Sequence, residues 1–429
     1  MASINLAYIG GGSTRAPGTV ASYILQAEAF AGSTVTLIDL HPERLELVKR
    51  LAERMIAARG ADLHVRTTTD LEAGLTDADA VLSSFRPGGF EMRHLDEAVP
   101  LRHGVIGQET QGPGGFFMAL RSVKVIKEVV ALMGKVAPNA TLFNYTNPVN
   151  IVAQAVSDYS DVHVVSLCEG PIVFPQEIVA GAGLEPSKLE ATMIGLNHAC
   201  WSVKHLYDGE DVMPLLAARL EAMQEAGSQD TETLRRLELA LAMDALGASY
   251  MNYYYRDDIL SELRSKPTTR AEDIMAAVPD YWQHYAEQAE EADPVLEPER
   301  SRGGIFELEL AVDVMDSHFN DKGEVWTLNV PNRGAISDMP SERIVEVPCV
   351  VGKEITPLVS GPLPTSVQGL VGALGAYQAL AARAAWEADK HLALQALTSN
   401  PLVPSLHVAK AIYAELSAAQ SDYLPASLL

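Results

Sequence analysis

Cysteine is scarce in this chain: Cys168, Cys200 and Cys349 are the only three in 429 residues. Three thiols cannot build a disulfide framework, which points to a reducing compartment. Apolar runs long enough to span a membrane are absent. The first residues, "MASINLAYIGGG", enter a strand without the basic and long apolar regions of a signal peptide. A cytoplasmic protein with no membrane partner is expected. Positive charge is also in short supply, with 32 Lys and Arg against 56 Asp and Glu and a formal net charge of −24. That balance excludes a general affinity for nucleic acid or anionic lipid, and a phosphorylated ligand would need its own nest of arginines. What is abundant is apolar: 48% hydrophobic against 21% charged residues, enough for a large core and too much for disorder. The length calls for two closely packed domains.

The first half alternates strand and helix signals. "INLAYIG", "TVTLIDL", "DLHVRTT", "ADAVLSS", "NATLFNY" and "DVHVVSL" read as short buried strands. Helical stretches such as "TRAPGTVASYILQ" and the amphipathic "HPERLELVKRLAERMIAA" separate them. This is the pattern of an α/β fold, a Rossmann-like doubly wound parallel sheet, whose ligands bind at the carboxyl ends of the strands. Asn147 and Cys168 both follow such strands. From about residue 190 the pattern changes to two consecutive strands, a largely helical stretch over 213–265, a helix–turn–strand around "NDKG" and a long Ala-rich helical tail. The expected division is a dinucleotide-binding domain over 1–190 and a mixed α+β domain over 191–429, the latter serving substrate, metal and oligomerisation. Internal repeats and low-complexity linkers are absent.

"IGGGSTRAPG", with Gly10, Gly11, Gly12 and Ser13, follows the first strand and opens a helix. Glycines there let the backbone approach a pyrophosphate, and the helix N-terminus favours its charge. The spacing departs from G-x-G-x-x-G, since Arg15 holds the third position, and a glycine turn alone often serves packing. Asp39 at the end of the second strand strengthens the reading: a carboxylate there binds a ribose diol and repels a 2′-phosphate, favouring NAD over NADP. Arg44, just beyond, joins the cofactor set.

Singly, Cys168 reads as a buried small hydrophobe and His198 as a hydrogen-bonded structural histidine. Together, thiolate and neutral imidazole suit a borderline divalent cation with positions left open for substrate oxygens. The cluster "SYMNYYYRDD", with Tyr250, Tyr253 and Tyr254, reads as a core stripe or as the source of a base beside a cation. Arg86 and Arg93 fall in a glycine-rich polar stretch expected to be a functional loop. Either could hold an anion or form a surface ion pair.

These features, with "GVIGQETQGPGGF", "NYTNP", "GLNH", "SRGG" and "NDKGEVWTLNVPNRGAI…VEVPCVV", run in order over residues 4 to about 405. The chain resembles glycoside hydrolase family 4, the NAD- and manganese-dependent 6-phospho-α- and 6-phospho-β-glucosidases, exceptions to the usual two-carboxylate scheme. The resemblance implies a fold like that of lactate and malate dehydrogenases. It also implies a route without net redox change. NAD oxidises the sugar at C3, a base removes the C2 proton, the aglycone is eliminated, water adds, and C3 is reduced again.

By resemblance, Cys168 and His198 are the ligands of Mn²⁺ or another divalent cation, and Asn147 contacts substrate. Tyr250 is the base, with Tyr253 and Tyr254 as alternatives. Arg86, Arg93 and Arg302 are phosphate or sugar contacts, Arg302 preferred for phosphate. Glu169 stands where the family's β enzymes carry Asn and its α enzymes Asp, so an acid role is implied while the anomer stays open. A small phosphoglycoside substrate, most simply a β-glucoside, and a homodimer or homotetramer are expected. The rivals are a glycosidase for unphosphorylated sugars, an NAD-dependent 2-hydroxy-acid dehydrogenase and a non-catalytic sugar or nucleotide sensor.

Overall fold

The computed structural model describes residues 1–302 and 309–429. Both glycines of the "SRGG" landmark lie outside the described residues. Among the described residues twelve strands form one sheet: β1 (Asn5–Ile9), β2 (Ser33–Ile38), β3 (Leu63–Thr68), β4 (Ala80–Ser83), β5 (Thr141–Asn144), β6 (Val164–Ser166), β7 (Leu189–Leu196), β8 (Ala199–Tyr207), β9 (Glu210–Asp211), β10 (Glu324–Pro331), β11 (Ile344–Val351) and β12 (Ile355–Pro357). Their order is β3-β2-β1-β4-β5-β6-β10-β11-β7-β8-β9, with β12 on β11. Pairing is parallel from β3 to β6, and β10 joins β6 antiparallel. The doubly wound parallel sheet is as expected, and β4, β5 and β6 are buried along their whole length because helices cover both faces. The second half extends this sheet, and the expected boundary after residue 190 falls inside β7.

Two local expectations fail. The stretch around Arg86 and Arg93, read as a loop, is mostly the helix Gly89–Arg102. Gly88 and Gly89 turn the chain into it with positive φ. Its inner face is polar (Arg93, Asp96 and Glu97 are buried), so it lacks the apolar stripe by which sequence betrays a helix. The Ala-rich tail, read as one long helix, is two, Thr365–Glu387 and Lys390–Ser399. Ala388 stops the first in left-handed geometry (φ 52°), and Asp389 caps the second by accepting the Leu392 N–H at 2.9 Å.

One rung of the sheet is polar. Ser83, Asn144, Ser166, Asn329 and Glu346 stand opposite one another in register across β4, β5, β6, β10 and β11, and all are buried. Ser83 Oγ donates to Asn144 Oδ1 (2.7 Å), and Asn144 Nδ2 donates to Ser166 Oγ (3.0 Å). Asn329 Nδ2 donates to Glu346 Oε1 (3.0 Å). Asn197, at the β7–β8 turn, donates to the same oxygen at 3.1 Å. The rung lies at the carboxyl end of the parallel strands and ties the two halves together directly beneath the residues singled out above.

Candidate active site

The glycine turn is built as a phosphate-facing loop requires. A Cβ on Gly10 would lie 2.1 Å from the Ser84 carbonyl oxygen, and one on Gly11 2.7 Å from Leu37 Cβ. One on Gly12 would lie 2.8 Å from Asp39 Cγ. Only glycine lets the turn sit this close to β2. The Gly12 N–H donates to Asp39 Oδ2 (3.0 Å) and the His41 N–H to Oδ1 (3.2 Å), which fixes the carboxylate at the end of β2. Ser13 Oγ is buried without a hydrogen-bond partner, an unmet group where a cofactor's phosphate would approach. Arg44 contacts the helix Arg270–Gln288, its guanidinium 5.5 Å from the Trp282 ring centroid.

His198 is the second residue of the two-residue turn joining β7 to β8, where Leu196 faces Ala199. Its φ of 61° is the left-handed conformation that side chains adopt reluctantly, and such strain gathers at functional sites. Its ring stacks on Tyr250 at 3.8 Å and 8°. Tyr250 meets Phe174 (5.8 Å), and Phe174 lies beside Cys168 at the start of the helix Gly170–Gly181. His198 thus stacks on Tyr250 directly, and Cys168 is linked to it through Phe174. Tyr254 OH is engaged with Gln111 Oε1 at 2.6 Å, while Tyr253 meets the Tyr250 ring at 6.2 Å. Of the three tyrosines, Tyr250 is the one stacked on His198.

Burial sets the electrostatics. It pushes the His198 imidazole down to about 4, partly offset by the negative charge of Glu109. It also pushes the Cys168 thiol well up, with Glu346 and Glu169 adding to the effect. The Tyr250 phenol goes up as well, by burial and then by Cys168, Glu109 and Tyr253, against Arg93. All three are therefore held uncharged. Loss of a proton from the thiol or the phenol is favoured by a cation placed among them. The donor set (soft sulfur, imidazole, and the buried, unpartnered Asn147 Oδ1) suits such a cation. Among the described residues no cluster of three or more His, Cys, Asp or Glu side chains could hold a metal, so remaining positions would fall to other oxygens.

The arginines gather nearby. Glu109 lies between Arg86 (2.5 Å) and Arg93 (3.1 Å), which hold its carboxyl below the usual range despite burial. Arg93 is also bound to Glu97 at 2.7 Å. Arg302 forms no ion pair among the described residues. It shares the Phe90 ring with Arg86, at 5.2 and 5.7 Å from the centroid, and burial with the neighbouring Arg86 and Arg93 pulls its pKa down. A buried arginine beside two others suits an anion.

Glu169 is not free. Its Oε1 pairs with Arg15 at 3.2 Å, and Arg15 also approaches the buried Glu309 at 3.7 Å and lies 4.7 Å over the Tyr145 ring. The residue that breaks the glycine motif thus ties the glycine turn to the cysteine turn. Arg15, Glu309, Glu346, Gln108 and Thr110 were not singled out from sequence. Glu346 carried a signal, a lone acid inside the apolar strand β11, and Arg15 another, a cation in place of a glycine.

A nucleotide-type turn, a Cys/His/Tyr centre and an arginine cluster at one sheet edge define a dinucleotide-dependent enzyme with a place for a divalent metal and an anionic substrate. Comparison with known proteins gives the family. The family 4 glycosyl hydrolase profile matches residues 5–184, and that family's C-terminal domain matches residues 193–403. The chain belongs to family 4 of the glycosyl hydrolases. It is 34% identical to a probable 6-phospho-β-glucosidase of Bacillus subtilis, over 98% of this chain and 97% of the relative. A 6-phospho-α-glucosidase from gut microorganisms, solved in complex with NAD and Mn²⁺, superposes with a TM-score of 0.85 at 26% identity, over 99% of both chains. The Thermotoga maritima 6-phospho-β-glucosidase, solved with manganese, NAD⁺ and glucose-6-phosphate, gives 0.83 at 27%, over 98% of this chain and 99% of that one. The lactate dehydrogenase of Eimeria maxima shares the fold, with a TM-score of 0.52 at 16% identity over 90% of this chain and 96% of the other.

Proposed function

We propose that this chain hydrolyses 6-phosphoglycosides, most simply 6-phospho-β-glucosides, using NAD and a divalent cation such as Mn²⁺. The observation that carries the reading is that His198 stacks on Tyr250 and Cys168 lies near it by way of Phe174, while burial keeps the thiol and the phenol protonated and the imidazole neutral. NAD bound on Gly10, Gly11, Gly12, Ser13 and Asp39, with Arg44 at the rim, would supply reversible hydride acceptance at the sugar's C3. A cation held by Cys168 and His198 would supply the positive charge that makes the neighbouring C2–H acidic. Tyr250 then takes the C2 proton as general base. Arg302 and Arg86 grip the 6-phosphate, Arg93 braces them through Glu109, and Asn147 offers its free amide oxygen to the sugar or the ion.

Glu169 remains the only carboxyl on the cysteine turn and hence the acid candidate for the departing oxygen. Its Oε1 is engaged by Arg15 at 3.2 Å, so it would have to leave that pair to serve the departing oxygen. We also propose a cytoplasmic homo-oligomer. No helix among the described residues is long and apolar enough to cross a membrane, and Val359, 85% exposed, lies on an open apolar loop suited to a subunit contact.

The test is release of p-nitrophenol from 6-phospho-α- and 6-phospho-β-glucosides with and without NAD⁺ and Mn²⁺. Hydrolysis that survives removal of both would overturn the reading. A 2-hydroxy-acid dehydrogenase would release NADH into solution during turnover, and a sensor would bind both ligands without turnover.

A further inference from the structure

A ligand histidine must present the nitrogen that carries no proton, and the loop before the helix Gly112–Val136 decides which nitrogen that is. Gln108 Oε1 accepts the backbone N–H groups of Thr110 (2.6 Å) and Gln111 (2.7 Å). The amide oxygen, not its NH₂, must therefore face this turn, because an NH₂ would meet two donors. Thr110 Oγ1 lies 2.8 Å from the same oxygen. A hydroxyl has one proton, and two oxygens this close need it between them, so Thr110 donates to Gln108. Toward His198 Nδ1, 3.1 Å away, the hydroxyl can then only accept. The proton of the neutral imidazole must be on Nδ1, and Nε2 keeps its lone pair.

We propose that Thr110, itself oriented by Gln108, is a positioning residue that locks His198 in the Nδ1–H form and so reserves Nε2 for the metal. The inference rests on the metal reading above. It differs from a purely structural role for the 108–111 turn, which would fix the backbone but leave the tautomer open. Thr110 and His198 are both buried, so water does not compete for the bond. The parallel face of Tyr250 holds the ring against rotation.

The experiment has two readouts, neither of them turnover. Metal-free protein labelled with ¹⁵N-histidine, with His198 identified by its loss in His198→Asn, should show His198 protonated on Nδ1. Thr110→Val should shift it toward the Nε2–H form. Mn²⁺ binding, followed by the electron paramagnetic resonance of the free ion, should weaken about 10- to 100-fold in Thr110→Val. Thr110→Ser should restore it, with NAD affinity unchanged in both. An Nε2–H histidine in the wild-type protein overturns the proposal and needs no variant to fold. So does wild-type Mn²⁺ affinity in a folded Thr110→Val. If instead wild-type protein binds Mn²⁺ no better than Cys168→Ser and His198→Asn, the metal reading itself fails, while the tautomer is still judged by the nitrogen spectrum.

Discussion

Tyr250 illustrates what burial does to single residues in this molecule. Packed between His198 and Phe174, its phenol holds its proton more tightly than a free tyrosine, and its use as a base depends on charge placed beside it. Tyr250→Phe should lower kcat by about 10²- to 10⁴-fold, with loss of the C2-deuterium isotope effect in any remaining turnover. Near-normal kcat would move the base elsewhere. His198 makes a separate claim on stability. Its folded value of about 4 lies below the ordinary 6.5. As pH falls below 6.5 the unfolded chain takes up the proton first. The stabilisation is therefore complete above 6.5 and drains away toward 4, by about 3 kcal/mol in all. Denaturant unfolding of metal-free protein at pH 7.5 and 5 should show this loss, and His198→Asn should show less of it. Arg302, without an acidic partner among the described residues, should matter for the phosphate alone. Arg302→Ala should cut the preference for phosphorylated over unphosphorylated substrate about 10- to 100-fold in kcat/KM.

Elements explain where the chain could and could not be read. The glycine turn was legible because its demand is local: the close approach to β2 admits no Cβ, and Asp39 follows at the next strand end. Gly12→Ala should therefore displace Asp39 and weaken NAD binding, measured by calorimetry, while leaving Mn²⁺ binding alone. The helix Gly89–Arg102 was not legible, because its buried face carries ion pairs and an apolar-periodicity reading sees only a polar loop. The break at Ala388 was hidden inside helix-favouring sequence. There Ala388→Gly should raise stability by about 1 kcal/mol, read from the denaturation midpoint, since glycine removes the left-handed penalty. A drop would mean that the alanine methyl packs better than its backbone suggests.

At the scale of the whole molecule, one sheet carries both halves of the chemistry. The parallel half brings the cofactor turn and Cys168 to its carboxyl edge, and the antiparallel half brings His198 to the same edge. The buried rung from Ser83 to Glu346 joins them. In a protein of net charge −24, Arg86, Arg93 and Arg302 gather into the local positive patch that a phosphorylated sugar would need. Removing either NAD⁺ or the metal should abolish hydrolysis, and no NADH should accumulate at steady state, since hydride given up at C3 returns there. Continuous release of NADH would mark a dehydrogenase instead.

The sequence by itself determined the alternation of strands and helices, the nucleotide turn, and the candidacy of Cys168, His198, Tyr250 and Arg302, all features written in local pattern or in motifs of unusual residues. It also determined the family, because those motifs keep their order along the chain. Tertiary structure alone decided that Tyr250 rather than Tyr253 or Tyr254 lies beside His198, that Arg15 holds Glu169, and that Gln108 and Thr110 set the histidine's proton. It alone aligned five polar residues from five strands into one buried rung. The physical reason is distance: most of these partners stand tens of residues apart in the chain, up to 163 for Ser166 and Asn329, and a hydrogen bond or ion pair is felt only over a few ångströms, so folding had to bring them together first.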